Sequence, residues 1–535
     1  MKNIWKYGRF PIALLVAGIY YYIALPAVNI HSVGFWLFLI SALILVTGII
    51  AFRKIFKEGF EIIDIHQNVI IKNMLRIILV FALIFVIGGI LSSSIINAKK
   101  YQQLMTVTEG KFGEEIAETD FSRVPLLDKD SAQLLGERKM GTMVDMVSQY
   151  EVSSLYTQIN YQGVPVRVSP LEYASSIKWF TNQSEGIPGY IKIDMATQET
   201  ELVRLPEGQY IKYSPSEYFN RNIYRHLRFR YPTYIFDDLS FELDEEGTPY
   251  WICPVKKFNV GLFGGETIGK VVLCNAITGE TTCYELEAVP QWVDHVFSAE
   301  LLIELYDYYG TLKNGYLNSI LSQKGCLMTT DGYNYIVKDD DVWVYTGVTS
   351  VSSDESNVGF VLMNQRTMES RFYECPGAEE YSAMDSAEGQ VQHLGYEATF
   401  PLLLNVAGEP TYFMALKDSA GLVKMYAMVN IKKYQNVAIG NTVAECLKDY
   451  QGLLKQNGIT ASTEGTGEEA KGIIEKISPV VIEGNSHYYI TLKGKKEIFD
   501  VDVSVYPEII TYDVEDSITF MFLKGTKLCE VTGIK

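Results

Sequence analysis

The 535-residue sequence contains none of the short motifs that mark the common catalytic sites. G-x-S-x-G, H-E-x-x-H, the P-loop and the dinucleotide-binding glycine fingerprint are all absent. The seven cysteines form no C-x-x-C pair and the six histidines are isolated from one another, so no spacing typical of metal ligands is present. The sequence therefore predicts no catalytic residue, no cofactor and no metal, and we expect a protein that is not an enzyme.

Charged residues are also absent from three apolar stretches near the N-terminus, Pro11–Val28, Val33–Phe52 and Ile77–Ile96. Each stretch has about 18–20 residues, and a helix that rises about 1.5 Å per residue would then cross a hydrocarbon core of about 30 Å. We expect three transmembrane helices that contact membrane lipid. A cleaved signal peptide is the alternative for the first stretch, because basic residues precede it. The lack of ionisable groups inside the stretches argues against transport and favours anchoring.

The basic residues that flank these stretches predict the orientation of the chain. Lys and Arg precede the first stretch and separate the second from the third, whereas the segment between the first and second, residues 29–32, has neither. Because Lys and Arg are retained on the cytoplasmic side, we expect a multi-pass protein of the cell membrane. Its N-terminus would be cytoplasmic and its C-terminal domain extracytoplasmic.

Acidic residues predominate in the rest of the chain. The formal net charge is −18, and residues 98–535 carry 61 acidic against 38 basic side chains. An acidic surface repels nucleic acid, so no nucleic-acid partner is expected. Alternatively, the charge only keeps a large domain soluble. The 36 tyrosines and 25 phenylalanines favour packed β structure over disorder.

Two segments of the C-terminal region match each other without a gap. GYIKIDMATQETELVRLP at Gly189–Pro206 corresponds to GFVLMNQRTMESRFYECP at Gly359–Pro376. Further matches follow in the same order, which indicates an internal duplication. Each copy runs β-rich segments through polar turns. Ser169 and Ser214 are each followed by Pro and, three residues on, by Glu, and they are predicted to cap helices.

We therefore predict three N-terminal transmembrane helices, a large α+β extracytoplasmic region and a small C-terminal all-β barrel. The α+β region would contain the duplication as antiparallel sheets with packed helices, and the barrel would have the size of an OB-fold or SH3-like module. The predicted boundaries are a three-span anchor at 1–97, a stalk and entry segment at 98–145, repeats at 146–320 and 321–457, a linker at 458–471, and the barrel at 472–535.

One pair of cysteines could form a cross-strand disulfide. In VVLCNAITGETTCYEL, a two-residue turn at Thr278 and Gly279 would place Cys274 opposite Cys283. An odd and sparse set of cysteines does not make a disulfide framework, so this pair is a separate hypothesis.

The hairpin GKVVLCNAITGETTCYEL, in which a strand ends in an Asn-Ala-x-Thr-Gly-Glu turn, resembles the terminal hairpin of PepSY-type repeats. Those repeats are similar to the inhibitory prosegments of metallopeptidases and occur in bacterial membrane and cell-envelope proteins. The resemblance implies binding of a protein partner or restraint of a peptidase. The second copy departs from the motif, because Asn430, Ile431, Lys432 and Lys433 stand where the Thr-Gly-Glu turn is expected.

A basic and aromatic cluster contrasts with the acidic background. In EYFNRNIYRHLRFRYP, the arginines Arg221, Arg225, Arg228 and Arg230 are interleaved with aromatic residues on a predicted short helix. Arginine beside aromatic rings suits a carboxylate, the phosphate of a wall polymer or the acidic face of a protein. These four arginines are the candidate partner-binding residues. The alternative is internal pairing with the acidic stretch Phe236–Glu246.

These features together predict a membrane-anchored extracytoplasmic binding or scaffold protein of the bacterial cell envelope. Its partner would be another protein or a cell-wall component. The alternative is an envelope hydrolase whose active site carries no recognised motif. A signal-receiving ectodomain is a third reading, but the predicted cytoplasmic loop is short.

Overall fold

The structure of this chain, a computed structural model, describes residues 9–58, 69–121, 124–350, 356–456, 468–482, 485–503, 506–524 and 528–534. The chain divides into two compact units, residues 1–405 with 410–443 and residues 406–409 with 444–535. Most of the predicted linker, at 458–467, lies outside the described residues. The following strand begins at Glu468, so the last four residues of the predicted linker belong to the barrel.

The α-helices of the described residues are concentrated at the N-terminus and otherwise lie between strands. They are α1 (Arg9–Ala24), α2 (Val33–Glu58), α3 (Val69–Ser92), α4 (Ser94–Gln102), α5 (Phe112–Glu115), α6 (Lys129–Gly141), α7 (Ser176–Asn182), α8 (Ile223–Arg230), α9 (Ala299–Thr311), α10 (Tyr316–Ile320), α11 (Glu380–Gln390) and α12 (Val443–Gln456).

Within the described part of the chain, α3 alone is long and apolar enough to cross a membrane. The apolar parts of α1 and α2 are shorter, Leu15–Ala24 and Val33–Ile49. Helix α1 ends early because Pro26 follows it, and a residue before proline is disfavoured in a helix; Leu25 instead has a φ of +46°. The third predicted stretch is interrupted at Ser93, between α3 and α4. The prediction of three transmembrane helices is therefore wrong. The membrane location and the contact with lipid remain predictions.

The strands of the described residues form four open sheets and one closed barrel. After β1 (Val107–Gly110), sheet 1 contains β2 (Tyr150–Val152), β3 (Thr157–Tyr161), β4 (Val164–Tyr173), β5 (Gly189–Asp194) and β6 (Thr200–Arg204). Sheet 2 contains β7 (Ser240–Leu243), β8 (Pro249–Val260), β9 (Gly264–Asn275) and β10 (Thr281–Glu285). Sheet 3 contains β11 (Leu327–Thr329), β12 (Asn334–Lys338), β13 (Asp341–Ser350), β14 (Ser356–Asn364) and β15 (Ser370–Ala378), with β1 at its edge. Sheet 4 contains β16 (Glu397–Ala398), β17 (Leu402–Val406), β18 (Glu409–Lys417), β19 (Val423–Asn430) and β20 (Val437–Gly440).

The barrel is closed by β21 (Glu468–Ile482), β22 (Asn485–Leu492), β23 (Ile498–Asp502), β24 (Ser517–Lys524) and β25 (Cys529–Ile534). Its interior is filled by a separate apolar cluster that includes Ile474, Phe499 and Phe520. The fold as a whole is mostly β and built from several sheets, which corrects the predicted α+β class. The barrel is one sheet among these and not a lone all-β module.

The four open sheets share one topology, an antiparallel meander of four strands that pair in chain order. The meanders are β3 to β6, β7 to β10, β12 to β15 and β17 to β20. Each of the two predicted copies therefore contains two such sheets. In the two matching segments the pairing is the same, since Gly189 lies opposite Arg204 and Gly359 lies opposite Glu374.

Successive sheets pack face to face, because alternate side chains of a strand point to opposite faces. On β8, Trp251 belongs to the apolar cluster shared with sheet 1, and its neighbour Ile252 belongs to the cluster shared with sheet 3. On β13, Val344 packs towards sheet 2 and Tyr345 towards sheet 4.

Sheet 4 returns to sheet 1 through the entry segment. Phe413 of β18 stacks edge-on against Phe121, with ring centroids 6.1 Å apart. Lys417 of the same strand lies 2.6 Å from Asp128, which caps α6. The four sheets thus follow one another around a common centre, as the blades of a small β-propeller do.

The outer turn of three sheets has the same hydrogen bonds. Asp194, Asn275 and Asn364 each accept, through Oδ1, the backbone amides two and three residues later at 2.8–2.9 Å. The residue before the final Glu of each turn has a positive φ, which Gly279 supplies without strain in sheet 2. In sheet 4, Asn430 Oδ1 accepts the amide three residues later, that of Lys433, at 2.9 Å.

Two predicted helix caps are wrong. Ser169 lies inside β4, where its hydroxyl donates to the Ser153 carbonyl oxygen, and Ser214 lies in an irregular turn. The helices begin later, at α7 and α8, and are capped by Ser175 and Asn222. Proline is also tolerated in a strand at a position where the neighbouring strand requires no amide donor. The Ser-Pro-x-Glu motif therefore did not distinguish a helix start from a strand.

The disulfide hypothesis is also wrong. The turn of sheet 2 spans Asn275 to Glu280, and Cys274 therefore lies opposite Thr281, while Cys283 lies opposite Val272. Cys274 and Cys283 are both free thiols, the first buried and the second exposed.

Candidate functional site: an arginine and aromatic surface

Helix α8 carries three of the four arginines that the sequence identified, and Arg221 lies in the 3-10 turn before it. Its apolar residues Ile223 and Leu227 are fully buried against sheets 1 and 2, and Asn222 caps its first turn by accepting the Arg225 amide at 3.3 Å. The other residues of the helix are exposed or partly buried. We call the group at and before α8 the arginine–aromatic surface; its members are Phe219, Arg221, Tyr224, Arg225, Arg228, Phe229 and Arg230.

Two of the four arginines, Arg221 and Arg228, bind carbonyl oxygens of segments outside the arginine–aromatic surface. Arg221 donates to the Gln183 carbonyl oxygen. Arg228 donates from Nε to the Leu25 carbonyl oxygen at 2.8 Å and from Nη1 to the Tyr234 carbonyl oxygen at 2.6 Å. Burial lowers the pKa of Arg228. Arg228 thus joins α8 to the end of α1, and its role in the structure is to hold that junction.

Arg225 and Arg230 instead face a cavity. This cavity has a volume of about 630 Å³ and is lined by Tyr22, Asn220, Arg225, His226, Phe229 and Arg230. The Arg225 guanidinium lies over the Tyr22 ring at 4.3 Å from its centroid and donates to the Phe219 carbonyl oxygen at 2.9 Å. Arg230 donates from Nε to Thr281 Oγ1 at 3.1 Å. No carboxylate is among the described residues that line this cavity.

The buried Nε of Arg225 has no hydrogen-bond acceptor in the described part of the chain. A buried charged donor without an acceptor is unusual, since leaving such a group unpaired costs about 1–3 kcal/mol or more. Phe229 and Tyr224 are about half exposed beside it. The arrangement can accept an anionic group between two guanidinium groups, with aromatic rings at the rim.

The acidic stretch Phe236–Glu246 does not neutralise these arginines. Asp237 pairs with Lys256 at 2.9 Å, and Glu242 is fully buried and accepts backbone amides of Asp294 and His295. Within the described part of the chain, no ion pair joins this stretch to the arginine–aromatic surface. The alternative interpretation, internal pairing of the cluster with this stretch, thus has no ion pair to support it in the described part of the chain.

A buried carboxylate lies next to the surface. Glu217 is 3 % exposed and accepts hydrogen bonds from Tyr173 Oη and Trp179 Nε1, both at 2.8 Å. Burial raises its pKa. Each of its two oxygens thus already has a donor, and the group positions the Trp179 ring, which packs on Tyr218 with centroids 4.5 Å apart. It is not placed as a free acid or base.

The tip of the β8–β9 hairpin docks onto the N-terminal helices, a contact that the sequence did not indicate. Ser92 Oγ, at the end of α3, accepts the amides of Leu262 and Phe263 at 2.7 and 3.0 Å. Gly88, one turn earlier, leaves room for the same tip, since a Cβ there would lie 2.9 Å from Leu262 Cδ2. His31 Nδ1 lies 2.7 Å from the Leu262 carbonyl oxygen. The signal in the sequence that could have indicated this contact is the pair of small residues Gly88 and Ser92, one helical turn apart.

No metal centre is evident in the part of the chain that the structure describes. Among those residues, no three side chains of His, Cys, Asp or Glu are grouped closely enough to hold a metal ion.

Comparisons with known proteins add no assignment. No family model and no curated protein matches the sequence. Among solved structures, a GH32 beta-fructofuranosidase from Bombyx mori aligns at 9 % identity and a TM-score of 0.17, covering 76 % of this chain and 70 % of that one. An alpha-L-arabinofuranosidase from Lactobacillus brevis aligns at 6 % identity and a TM-score of 0.14, covering 68 % and 89 %. At such TM-scores neither likeness supports an argument about fold or activity.

Proposed function

We propose that this chain is a binding protein of the bacterial cell envelope that holds the acidic face of another protein at its arginine–aromatic surface. The observation that supports this proposal is the cavity lined by Arg225 and Arg230. In a chain with a net charge of −18, these two guanidinium groups face an open space without a carboxylate partner among the lining residues.

Physical chemistry favours an anionic partner for such a cavity. Each guanidinium retains N–H groups beyond the bonds to Phe219 and Thr281, and a charge-assisted hydrogen bond contributes about 1.5–3 kcal/mol. The exposed rings of Phe229 and Tyr224 supply apolar contact area around the charges, as binding hot spots do.

The test is site-specific photocrosslinking in intact cells. A photoreactive residue at Phe229 is compared with one at Tyr381, which is similarly exposed on α11, far along the chain. We expect adducts with a defined protein at position 229 and none at 381. Adducts with a wall polymer at position 229 would show that the ligand is a polymer phosphate and not a protein. Equal crosslinking at both positions would refute the proposal.

A double variant that removes both positive charges tests whether the two arginines bind the partner. Arg225→Gln with Arg230→Gln should reduce the adduct yield at position 229 at least tenfold, because two charge-assisted bonds are lost. Arg138→Gln, on the exposed side of α6, is the matched control and should leave the yield unchanged. Unfolding temperatures of the three proteins separate loss of binding from loss of folding, since the Arg225–Tyr22 contact stabilises by about 0.5–1 kcal/mol.

The envelope hydrolase receives no support from a particular observation. Glu217, the buried carboxylate nearest to a cavity on this side, has both oxygens bound. The location outside the cytoplasm and the relationship to PepSY-type repeats remain predictions.

A further inference from the structure

A second cavity lies among sheets 1, 3 and 4 and shares no lining residue with the arginine–aromatic surface. It has a volume of about 460 Å³ and opens where the β3–β4 hairpin of sheet 1, the β12–β13 hairpin of sheet 3 and strand β17 of sheet 4 meet the entry segment before α6. We call it the axial cavity. Its volume is within the range of sites that hold small molecules or single side chains.

Acidic side chains predominate among the described residues that line the axial cavity. Its lining includes five carboxylates and one lysine, Lys338, which pairs with the neighbouring Asp339 and lies over the Trp343 ring. Glu115 pairs with Arg371 at 2.7 Å, and this hydrogen bond lowers the pKa of Glu115. Asp340 instead accepts a hydrogen bond from the uncharged amide of Asn160, so its carboxylate can attract a cation.

Hydrogen-bond acceptors without donors occupy the same cavity. Asn405 lines it and is 4 % exposed; its Nδ2 donates to the Ile116 carbonyl oxygen at 2.7 Å, but its Oδ1 is buried and receives no hydrogen bond in the described part of the chain. Asn160 is in the same situation, since Nδ2 donates to Asp340 Oδ1 at 2.5 Å and its own Oδ1 has no donor there. Two buried acceptors require a donor that the described chain does not supply.

The remaining walls are aliphatic. Val124, Pro125, Pro165, Ile336 and Leu403 line the cavity, and no aromatic ring is among its described lining residues. Aliphatic walls match a methylene chain. An ammonium group supplies three donors and a positive charge, which is what two amide oxygens and the carboxylates lack.

We propose that the axial cavity binds a primary ammonium group carried on an aliphatic chain. This chemistry is shared by a free diamine and by a lysine side chain of a protein. In the bound state the ammonium donates to Asn405 Oδ1 and Asn160 Oδ1 and lies near the Asp340 carboxylate, while the methylene groups contact Pro165 and Leu403. The site is separate from the arginine–aromatic surface and does not depend on it.

Isothermal titration calorimetry of the full-length chain tests the proposal with cadaverine, with N-acetyl-lysine amide and with pentanol. We expect one of the two amines to bind and pentanol, which has the chain without the charge, not to bind. Binding of cadaverine alone identifies a free diamine as the ligand, and binding of the lysine derivative identifies a protein side chain. Absence of binding by both amines at millimolar concentration, or equal binding of pentanol, would overturn the proposal.

Two variants locate the binding in this cavity. Asp340→Asn keeps an oxygen for the Asn160 bond and is tolerated at the positive φ of +67°, so the fold is retained while one charge is removed. We expect at least tenfold weaker binding of the amine. Asn405→Leu should have the same effect, and Asp385→Asn, an exposed carboxylate on α11, should have none. Unchanged affinity in Asp340→Asn and in Asn405→Leu would place the amine elsewhere and refute the assignment.

Discussion

Replacing Ser92 by Ala tests how the β8–β9 hairpin is held against α3. Ser92 is 3 % exposed, and its Oγ accepts the amides of Leu262 and Phe263 while donating to the Gly88 carbonyl oxygen at 2.6 Å. Alanine removes the acceptor for both amides without adding bulk. Because the hairpin tip is half-buried and water can reach it partly, we take the lower end of the loss, about 1 kcal/mol for each amide and about 2 kcal/mol together.

The expected result is local. A loss of about 2 kcal/mol corresponds to about 30-fold more frequent opening, and hydrogen exchange of the amides of Leu262 and Phe263 should accelerate by that factor. Peptides from sheets 3 and 4 should exchange at the wild-type rate. Mass spectrometry of exchange in the full-length protein measures both.

Ser93→Ala is the matched control for this experiment. Ser93 Oγ donates to the Ile90 carbonyl oxygen at 2.8 Å and makes no bond to the hairpin among the hydrogen bonds described. Its loss should leave exchange at the tip unchanged. If Ser92→Ala also leaves the two amides protected, the hairpin is held by apolar contact with Gly88 and not by the hydroxyl, and the reasoning above fails.

Three further outcomes follow from other parts of the structure. Burial and the Glu242 charge raise the pKa of Asp294. Its contribution to stability is therefore complete below the ordinary carboxyl pKa of about 3.9 and is lost as the pH rises towards the raised pKa. In urea unfolding between pH 4 and pH 7, Asp294→Asn should flatten the resulting decrease of the unfolding free energy with pH, and an equal slope in both proteins would contradict the assignment. Asn364→Ala should lower the free energy of unfolding by about 1–3 kcal/mol, because two turn amides lose their acceptor; an unchanged urea midpoint would show that water replaces it. A membrane-impermeant maleimide should label intact cells through exposed Cys283 and fail with Cys283→Ser, whereas labelling only after lysis would contradict the extracytoplasmic location.

The local signals in the sequence predicted hairpins better than helices. The match of Gly189–Pro206 with Gly359–Pro376 depends on turn residues. These residues form hydrogen bonds within a segment of six residues, so the local sequence is sufficient to predict the turn. The helix caps failed, since Ser169 and Ser214 satisfy the same short motif in a strand and in an irregular turn. The three apolar stretches misled for a related reason: composition measures hydrophobicity, but Pro26 and Ser93 determine where a helix ends.

The candidate site was only partly predictable. The four arginines at and before α8 lie close together in the sequence, and composition alone drew attention to them. Composition could not separate Arg228, which binds carbonyl oxygens of the chain, from Arg225, whose buried Nε has no acceptor in the described part of the chain. The axial cavity was beyond prediction, because Asn160 and Asn405 come together only when sheets 1 and 4 close the ring.

Strand β1 has a consequence for how this chain is made. It pairs in parallel with β15, and the first partners, Val107 and Ser370, are separated by 263 positions in the chain. At a synthesis rate of about 5–20 residues per second, β1 waits roughly 13–53 s on the ribosome before its partner exists. During that interval it is an open edge that other chains could join. Sheets 1 and 2 can complete their own meanders meanwhile, so a delay after residue 320 would expose β1 to misassembly without harming the sheets already formed.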